Sequence, residues 1–182
     1  MINTGAIERV RRSGKAGDRD RSFPMLISTI ANKISRGGSR VYLQLFGIGI
    51  IEWRILYVLA EYPGATAQAV CNKIDLDKAA ASRSLQVLEQ RGYVTVGAHP
   101  NDARKRTLSL TPAGQAMHDR MLPLSVQREQ HLLQGFTDQE RDMLLNLLRR
   151  MHANAVEMDG REYQVPEPAP RSRRRAAAQA AA

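Results

Sequence analysis

The sequence predicts a mainly α-helical fold with a small β-hairpin near its centre. Apolar residues recur at three- and four-residue steps through most of the chain, which is typical of helices packed on one face. Residues 66–92 contain two short helical patterns separated by a turn at 75–77, and two strand-like segments, 93–96 and 107–110, follow. A helix pair followed by a hairpin is the outline of a winged helix-turn-helix, which places one helix in the DNA major groove.

Two helices are predicted before this module. The first begins near Phe23 and ends before Gly47, and the second covers 50–62, where a Pro-Gly pair ends it. Gly37 and Gly38 lie inside the first helix, where each glycine costs about 1 kcal/mol relative to alanine. This pair therefore predicts either a kink or a close approach of another helix.

Two further helices are predicted after the hairpin. Thr111 as the N-cap and Pro112 at the first position begin a helix that runs to about Gln134. Thr137 and Glu140 have the spacing of a capping box, which begins the last helix. Its apolar stripe consists of Leu144, Leu147, Leu148 and Met151.

The helices at both ends carry more apolar surface than the small module between them can cover. We therefore expect 22–48 and 112–160 to form a dimerisation domain with a second copy of the chain, while 50–110 forms the winged helix-turn-helix. The alternative is that these helices fold back on the module of their own chain. Residues 1–21 and 161–182 lack periodicity and are expected to be a disordered basic arm and a disordered Pro/Arg/Ala-rich tail around the domain at 22–160.

The net charge of +9 divides equally among residues 1–21, 22–160 and 161–182, at +3 each, and within 22–160 the excess lies in one segment. Residues 66–110 hold seven basic and four acidic residues, whereas the rest of 22–160 is balanced at nine and nine. A local basic excess is the electrostatic signature of phosphate binding. The charge therefore indicates double-stranded DNA as the partner of the predicted module.

Several other classes of function are disfavoured. No apolar run approaches the roughly 20 residues that a membrane span needs, so we expect no membrane partner. A single cysteine cannot form an internal disulfide, which is typical of a reducing cytoplasm. Four dispersed histidines without a cysteine partner predict no metal site. We find no Ser-His-Asp grouping, phosphate loop or carboxylate cluster, and we expect neither an enzyme nor a cofactor.

Thr66 and Asp77 are predicted to be the N-caps of the two helices of the module. The second of these helices, from residue 78 onwards, is the candidate base-reading helix. Its buried stripe is predicted to contain Ala81, Leu85 and Leu88. The opposite face offers side chains suited to base edges and phosphates, since Arg can pair with guanine, Gln with adenine, and Ala can touch a thymine methyl. The predicted DNA-binding residues on this face are Lys78, Ala79, Ala80, Ser82, Arg83 and Gln86.

The hairpin tip supplies the second set of predicted DNA contacts: Asp102, Arg104, Lys105 and Arg106. An Asp102–Arg104 pair across the tip would fix the wing, while the two following cations face phosphate. Alternatively, Arg104 enters a narrow minor groove, where the negative potential is greatest.

These two segments, ASRSLQVLEQRGYV and HPNDARKRTLSLTPAG, resemble the MarR (multiple antibiotic resistance regulator) family of winged-helix transcription factors. The family's hallmark is an Asp-x-Arg wing followed by a strand ending Leu-Thr-x-x-Gly. The matching residues here are Asp102, Arg104, Leu110, Thr111 and Gly114. Three departures are Val96-Gly97, where arginines are common, Gly49 in place of a Ser/Thr helix cap, and Ala79-Ala80 in place of small hydroxyl residues.

The resemblance implies a ligand-responsive homodimeric transcriptional regulator, a repressor, that binds a pseudo-palindromic operator. It also implies release by a small aromatic carboxylate or an acyl-CoA effector, bound where the dimerisation helices meet the DNA module. The available aromatic and cationic groups at that junction are Arg40, Tyr42, Phe46, Trp53, Arg54 and Tyr57, although Phe46 and Trp53 could equally be core residues. The alternative function is a non-specific or architectural DNA-binding protein without a small-molecule effector.

Overall fold

The computed structural model describes residues 22–99, 102–158 and 160–163, and within the hairpin it leaves out the side chains of residues 99 and 102–105. The predicted arm at 1–21 and most of the predicted tail lie outside these residues. The elements in chain order are α1 Phe23–Phe46, α2 Ile50–Glu61, β1 Ala65–Thr66, α3 Ala67–Ile74, α4 Lys78–Gln90, β2 Val94–His99, β3 Asp102–Leu110, α5 Pro112–Leu132 and α6 Asp138–Met158. The chain forms two compact units, with the boundary between His131 and Leu132.

Helix α1 continues unbroken through its glycine pair. Gly38 is buried, and a Cβ added there would lie 3.0 Å from Ile50 Cδ1 at the start of α2. The pair therefore marks a close helix approach, which is one of the two predicted alternatives. The helix ends at Gly47, whose left-handed φ of 71° is tolerated best by glycine.

A three-stranded antiparallel sheet has the order β1-β3-β2. Val94 pairs with Leu110 and Ala65 pairs with Leu108. The sequence-based boundaries were too short, because β2 continues to His99 and β3 begins at Asp102, and β1 was missed. Two residues are too few to show an alternating pattern, so β1 is defined only by its partner strand.

The core of the first unit joins α2, α4, the sheet and α5. Its fully buried large side chains are Ile48, Ile55, Leu56, Leu59, Val70, Leu88 and Met121. Gly114 is required where α5 begins, because an added Cβ would collide with the carbonyl oxygen of Tyr93. The hairpin and α5 are thus packed backbone against backbone, which explains the glycine in the Leu-Thr-x-x-Gly pattern.

The second unit begins at the end of α5 and contains α6. The predicted capping box is confirmed: Thr137 N–H donates to Glu140 Oε2 at 2.8 Å, and Glu140 N–H donates to Thr137 Oγ1 at 3.3 Å. The hydrogen bonds that Thr137 donates hold the pKa of the Glu140 carboxyl below its ordinary value. Helix α5 ends at Leu132, two residues before the predicted Gln134, and α6 buries none of its residues.

Within the described ranges, no single helix is long and apolar enough to cross a membrane. Helices α1 and α2 reach the length and apolar composition of a membrane span only when they are taken together, and the two are bent by 82° relative to each other.

Candidate nucleic-acid interface

The helix-turn-helix is built from α3, a turn and α4, and side chains cap both helices. Ala69 N–H donates to Thr66 Oγ1 at 3.2 Å, and Ala80 N–H donates to Asp77 Oδ1 at 2.8 Å. Between the helices Asp75 adopts a left-handed φ of 49°, which sends the chain into the tight turn. Both caps were predicted from the sequence and are confirmed.

Helix α4 has a buried face and an outward face. The buried residues are Ala81, Ser84 and Leu88, with Leu85 partly buried beside them. Sequence reasoning missed Ser84, because a serine next to an arginine on a polar helix looks like a surface residue. The predicted DNA-binding residues that are exposed are Lys78, Ala79, Ser82, Arg83 and Gln86, whereas Ala80 is half-buried.

The wing consists of β2 and β3, which pair from Val94–Leu110 to the irregularity between Ala98 and His99. Arg106 is exposed on β3, opposite Ala98. The side chains of Asp102, Arg104 and Lys105 lie outside the described part of the structure, so the pairing across the tip stays a prediction. The backbone at these three positions is part of β3, which places them at the end of the hairpin.

The buried face of α4 is hydrogen-bonded to the corner between α1 and α2. Ser84 Oγ–H donates to Glu52 Oε1 at 2.6 Å, and the backbone N–H of Gly49 donates to Glu52 Oε2 at 2.9 Å. Arg91, just after α4, lies against the same corner, since a Cβ added to Gly47 would be 3.1 Å from Arg91 Nη1. The buried face of α4, opposite its outward face, is therefore held against the corner at the end of α1.

Transcriptional regulators of known structure resemble this chain. A family model described as the MarR family matches residues 46–105. A MarR/EmrR family transcriptional regulator from Acinetobacter sp. ADP1 has 35% sequence identity and a TM-score of 0.72, covering 76% of this chain and 97% of that one. The chain belongs to the MarR family. It is a transcriptional regulator and not an enzyme, as are the relatives it matches.

Two more distant relatives complete the comparison with this MarR-family regulator. A Thauera aromatica protein assigned to transcriptional regulation of the hcr operon is 28% identical over 98 residues, which are 54% of this chain and 59% of that protein. The regulator thus spans less than two thirds of that relative. BpsR of Bordetella bronchiseptica, whose DNA binding is regulated by 6-hydroxynicotinic acid, shares the fold at 22% identity and a TM-score of 0.59, over 70% of this chain and 98% of that one.

The aromatic residues predicted for an effector form one cluster at the α1–α2 junction of the regulator. Trp53 lies 6.1 Å from Tyr42 and 5.8 Å from Tyr57, measured between ring centroids. Tyr42 and Trp53 are buried in the core, Phe46 is half-buried and Tyr57 is 41% exposed. The nearby Glu61 carboxylate raises the pKa of Tyr57 above its ordinary value.

The two predicted cations at this junction differ in their surroundings. Arg40 is exposed, whereas Arg54 is half-buried and its Nη2 donates to Ser35 Oγ at 3.3 Å. Sequence reasoning missed a third cation, Arg120, whose guanidinium lies 5.7 Å from the centroid of the Phe46 ring. Arg120 also lines an open cleft of about 800 Å³ along α5. No pattern of residues predicted this contact, because Phe46 and Arg120 are brought together only by the fold.

His118 extends the aromatic cluster onto α5. Its ring stacks on Trp53 with a centroid distance of 5.5 Å and a 20° interplanar angle. Its Nδ1 lies 2.9 Å from Asp119 Oδ1, and this hydrogen bond lowers the pKa of the Asp119 carboxyl. Within the described ranges, no group of three or more His, Cys, Asp or Glu side chains could hold a metal ion.

Cys71 is buried on α3. It lies at the edge of a cavity of about 630 Å³ between the two helices of the module and the sheet. The cavity is also lined by Gln68, Lys78, Ser82, Leu85, Gln86 and Val96, among others. Part of the outward face of α4 therefore borders this cavity.

Proposed function

We propose that this MarR-family regulator is a homodimeric repressor that binds a pseudo-palindromic operator and is released by a small aromatic acid or a related acyl-CoA. One observation carries the proposal: α4 presents a polar outward face, while its opposite face is buried and hydrogen-bonded to Glu52, and a basic hairpin follows this helix. A rigid helix with exposed Arg, Gln and Ser side chains is suited to reading base edges in a major groove.

The DNA contacts divide into base reading and backbone binding. We assign base reading to Lys78, Ala79, Ala80, Ser82, Arg83 and Gln86 on α4. At the wing, Lys105 and Arg106 would hold the phosphates, while Asp102 pairs with Arg104 across the tip or Arg104 enters the minor groove. Base contacts carry the sequence discrimination, whereas wing cations add affinity that falls steeply with salt.

The homodimer is supported by apolar side chains that remain exposed on both terminal helices. On α1 these include Phe23, Leu26, Ile27 and Ile30, and on α6 they include Leu147, Leu148 and Met151. Monomeric proteins rarely leave contiguous apolar faces of this kind in water. A second copy of the chain would cover them and place two α4 helices about one DNA turn, or ~10 bp, apart.

Fluorescence anisotropy with duplexes tiled from the DNA upstream of the chain's own gene tests the DNA-binding proposal. Each tile is paired with a shuffled duplex of the same composition at about 150 mM salt. Binding to one palindromic tile at least about 10³-fold tighter than to its shuffled control is expected of an operator binder. Equal, weak binding to every tile would mean either that the operator lies outside the tiled DNA or that the alternative, a non-specific or architectural DNA-binding protein, is right.

The effector proposal places a small aromatic carboxylate at the α1–α2 junction. Arg54 and Arg40 are the candidate partners for the carboxylate, and Phe46 and Tyr57 are the accessible aromatic side chains. Tyr42 and Trp53 would form the floor of this site from the core. The likeness in fold to BpsR, regulated by an aromatic acid, supports the chemical class of the ligand.

Trp53 is the single tryptophan of the chain and therefore reports directly on this junction. Titration with salicylate and with 6-hydroxynicotinate should change its emission, and the same ligands should release the fluorescent operator. Arg54→Gln should weaken the effect at least about fivefold because it removes the charge that faces the carboxylate. A change of emission that survives Arg54→Gln and Arg40→Gln together would exclude these cations as the carboxylate site.

A further inference from the structure

Helix α2 begins without a capping side chain of its own. Its N-cap is Gly49, where many helices have a serine or threonine whose oxygen accepts a hydrogen bond. Instead, a side chain inside the helix bonds back to the N-cap residue, because Glu52 Oε2 accepts a hydrogen bond from the backbone N–H of Gly49 at 2.9 Å. The other oxygen of the carboxylate is therefore free to bind a second donor.

The second donor comes from the base-reading helix. Ser84 is 5% exposed and lies on the buried face of α4, away from Arg83 and Gln86. Its hydroxyl donates to Glu52 Oε1 at 2.6 Å, across 32 positions of sequence. A short hydrogen bond to a charged acceptor is stronger than one between neutral groups, and its geometry restricts the rotation of the helix that carries it.

Gly49 leaves the space that this carboxylate occupies. A Cβ at Gly49 would lie 2.8 Å from Glu52 Oε2 and 3.3 Å from Ser39 Oγ. Its backbone angles, φ −90° and ψ −174°, are open to any residue, so a side chain at this position is limited by space and not by conformation. An alanine would force the Glu52 carboxylate to shift from its present position without straining the backbone.

We propose that Glu52 and Ser84 are a positioning pair that holds α4 at the α1–α2 corner and thereby sets how well the protein distinguishes an operator from other DNA. The proposal rests on the proposed function, in which α4 reads bases. Neither residue touches DNA, because Ser84 faces the core and Glu52 lies behind α4. Their contribution is the orientation of the exposed side chains on α4, on which base contacts depend more steeply than phosphate contacts.

Ser84→Ala is the main test, because it removes the link to α4 and leaves the bond between Glu52 and Gly49. The probes are the tightest-binding duplex from the tiled upstream DNA and its shuffled version. Affinity for the specific duplex should fall about three- to tenfold, whereas affinity for the shuffled duplex and the salt slope should stay within about twofold. Amides of 82–88 on α4 should also exchange with solvent about tenfold faster in the free protein.

Ser109→Ala is the matched control. It also removes one serine hydroxyl, which accepts a hydrogen bond from Gly64 N–H at 3.1 Å, but it leaves α4 untouched. The ratio of specific to shuffled affinity and the exchange of 82–88 should both remain at wild-type values. An equal loss of that ratio in both variants would overturn the proposal, because it would show a general response to weakened folding.

Glu52→Gln separates hydrogen bonding from charge. The amide oxygen can accept from Gly49 N–H while the amide nitrogen donates to Ser84 Oγ, so both contacts can be kept. The specific-to-shuffled ratio of this variant should stay within about twofold of the wild type. Gly49→Ala should instead reproduce the loss seen in Ser84→Ala, because it displaces the carboxylate.

The two readouts distinguish the failure of this pair from the failure of the proposed function. If the wild-type protein prefers no tile, either its operator lies outside the tiled DNA or base reading by α4 is wrong, and in both cases amide exchange still tests whether Glu52 and Ser84 hold the helix. If the wild type is specific and Ser84→Ala changes neither the affinity ratio nor the exchange of 82–88, the positioning pair is wrong. A loss of specificity in Glu52→Gln as large as that in Ser84→Ala would equally overturn a hydrogen-bonded role.

Discussion

Helices α4 and α6 are both amphipathic, yet they differ in what their apolar faces contact. On α4 the residues Ala81, Ser84 and Leu88 are buried against the core of the first unit. On α6 the stripe that includes Leu147, Leu148 and Met151 remains 38–46% exposed, and no residue of that helix is buried. Apolar spacing thus makes a helix amphipathic, but a separate surface is needed to bury its face.

The largest effect is expected from a cavity beneath α4. Leu88→Ala removes a side chain with no exposed surface, and such changes typically cost about 2–5 kcal/mol of unfolding free energy. Chemical denaturation followed by circular dichroism measures the loss. Leu145→Ala on α6, where the side chain is 47% exposed, is the comparison and should cost much less. Similar losses for the two variants would contradict the difference between the two helices.

The next effect tests whether a second copy covers α6. Leu147→Glu places a charge within the apolar stripe and should weaken self-association by about 2–3 kcal/mol, without lowering the core stability of the first unit. Sedimentation over a range of concentrations would show a shift towards monomer. Asn146→Glu puts the same charge outside the stripe of α6 and should leave association unchanged. A monomeric wild-type protein would show that the stripe is not a dimer contact.

A smaller effect separates the outward face of α4 from the wing. Arg83→Ala should reduce affinity for the operator by about 1–3 kcal/mol and relax discrimination at one base pair. Arg106→Ala should weaken binding to specific and shuffled duplexes alike and reduce the salt slope by about 1. Anisotropy across a salt series measures both quantities. The assignment would be reversed if Arg106→Ala changed base preference and Arg83→Ala changed only the slope.

The smallest effect concerns the carboxylates of the two units. Glu140 is more acidic when folded, so its ionised form stabilises the fold above its ordinary pKa of 4.5, and this contribution disappears as the pH falls through the lower folded value. Thr137→Ala removes the hydroxyl and its hydrogen bond to the carboxylate, so it should raise the Glu140 pKa. Titration of the carboxyl carbons by NMR measures it.

Asp119 provides the internal control for that titration. Its pKa is lowered by hydrogen bonds from His118 and Gln115, which belong to the first unit. Thr137→Ala should therefore leave the Asp119 titration unchanged. Equal shifts at both carboxyl groups would mean that the substitution acts through the whole fold and not through the local cap.

Local features of the fold could be predicted from the sequence because their causes lie within a few residues. Thr66, Asp77 and Thr137 each bond a backbone N–H three residues ahead, and the structure confirms all three caps. Gly38 was identified as a site of close approach or kinking, and only the structure chose between these, since Ile50 is the neighbour that fills the space. The strands were predicted but shortened, because β3 continues into a tip whose residues are polar.

The sequence by itself determined the order of the elements, the amphipathic faces of α4 and α6, and the basic excess of the module, all of which follow from residue spacing and charge. Tertiary structure alone decided that Ser84 meets Glu52, that Arg120 lies over Phe46, and that β1 exists at all. The physical reason is the distance along the chain between the residues that interact. A cap or a periodic stripe is set by neighbours along the chain, whereas a hydrogen bond across 32 positions depends on how the helices pack.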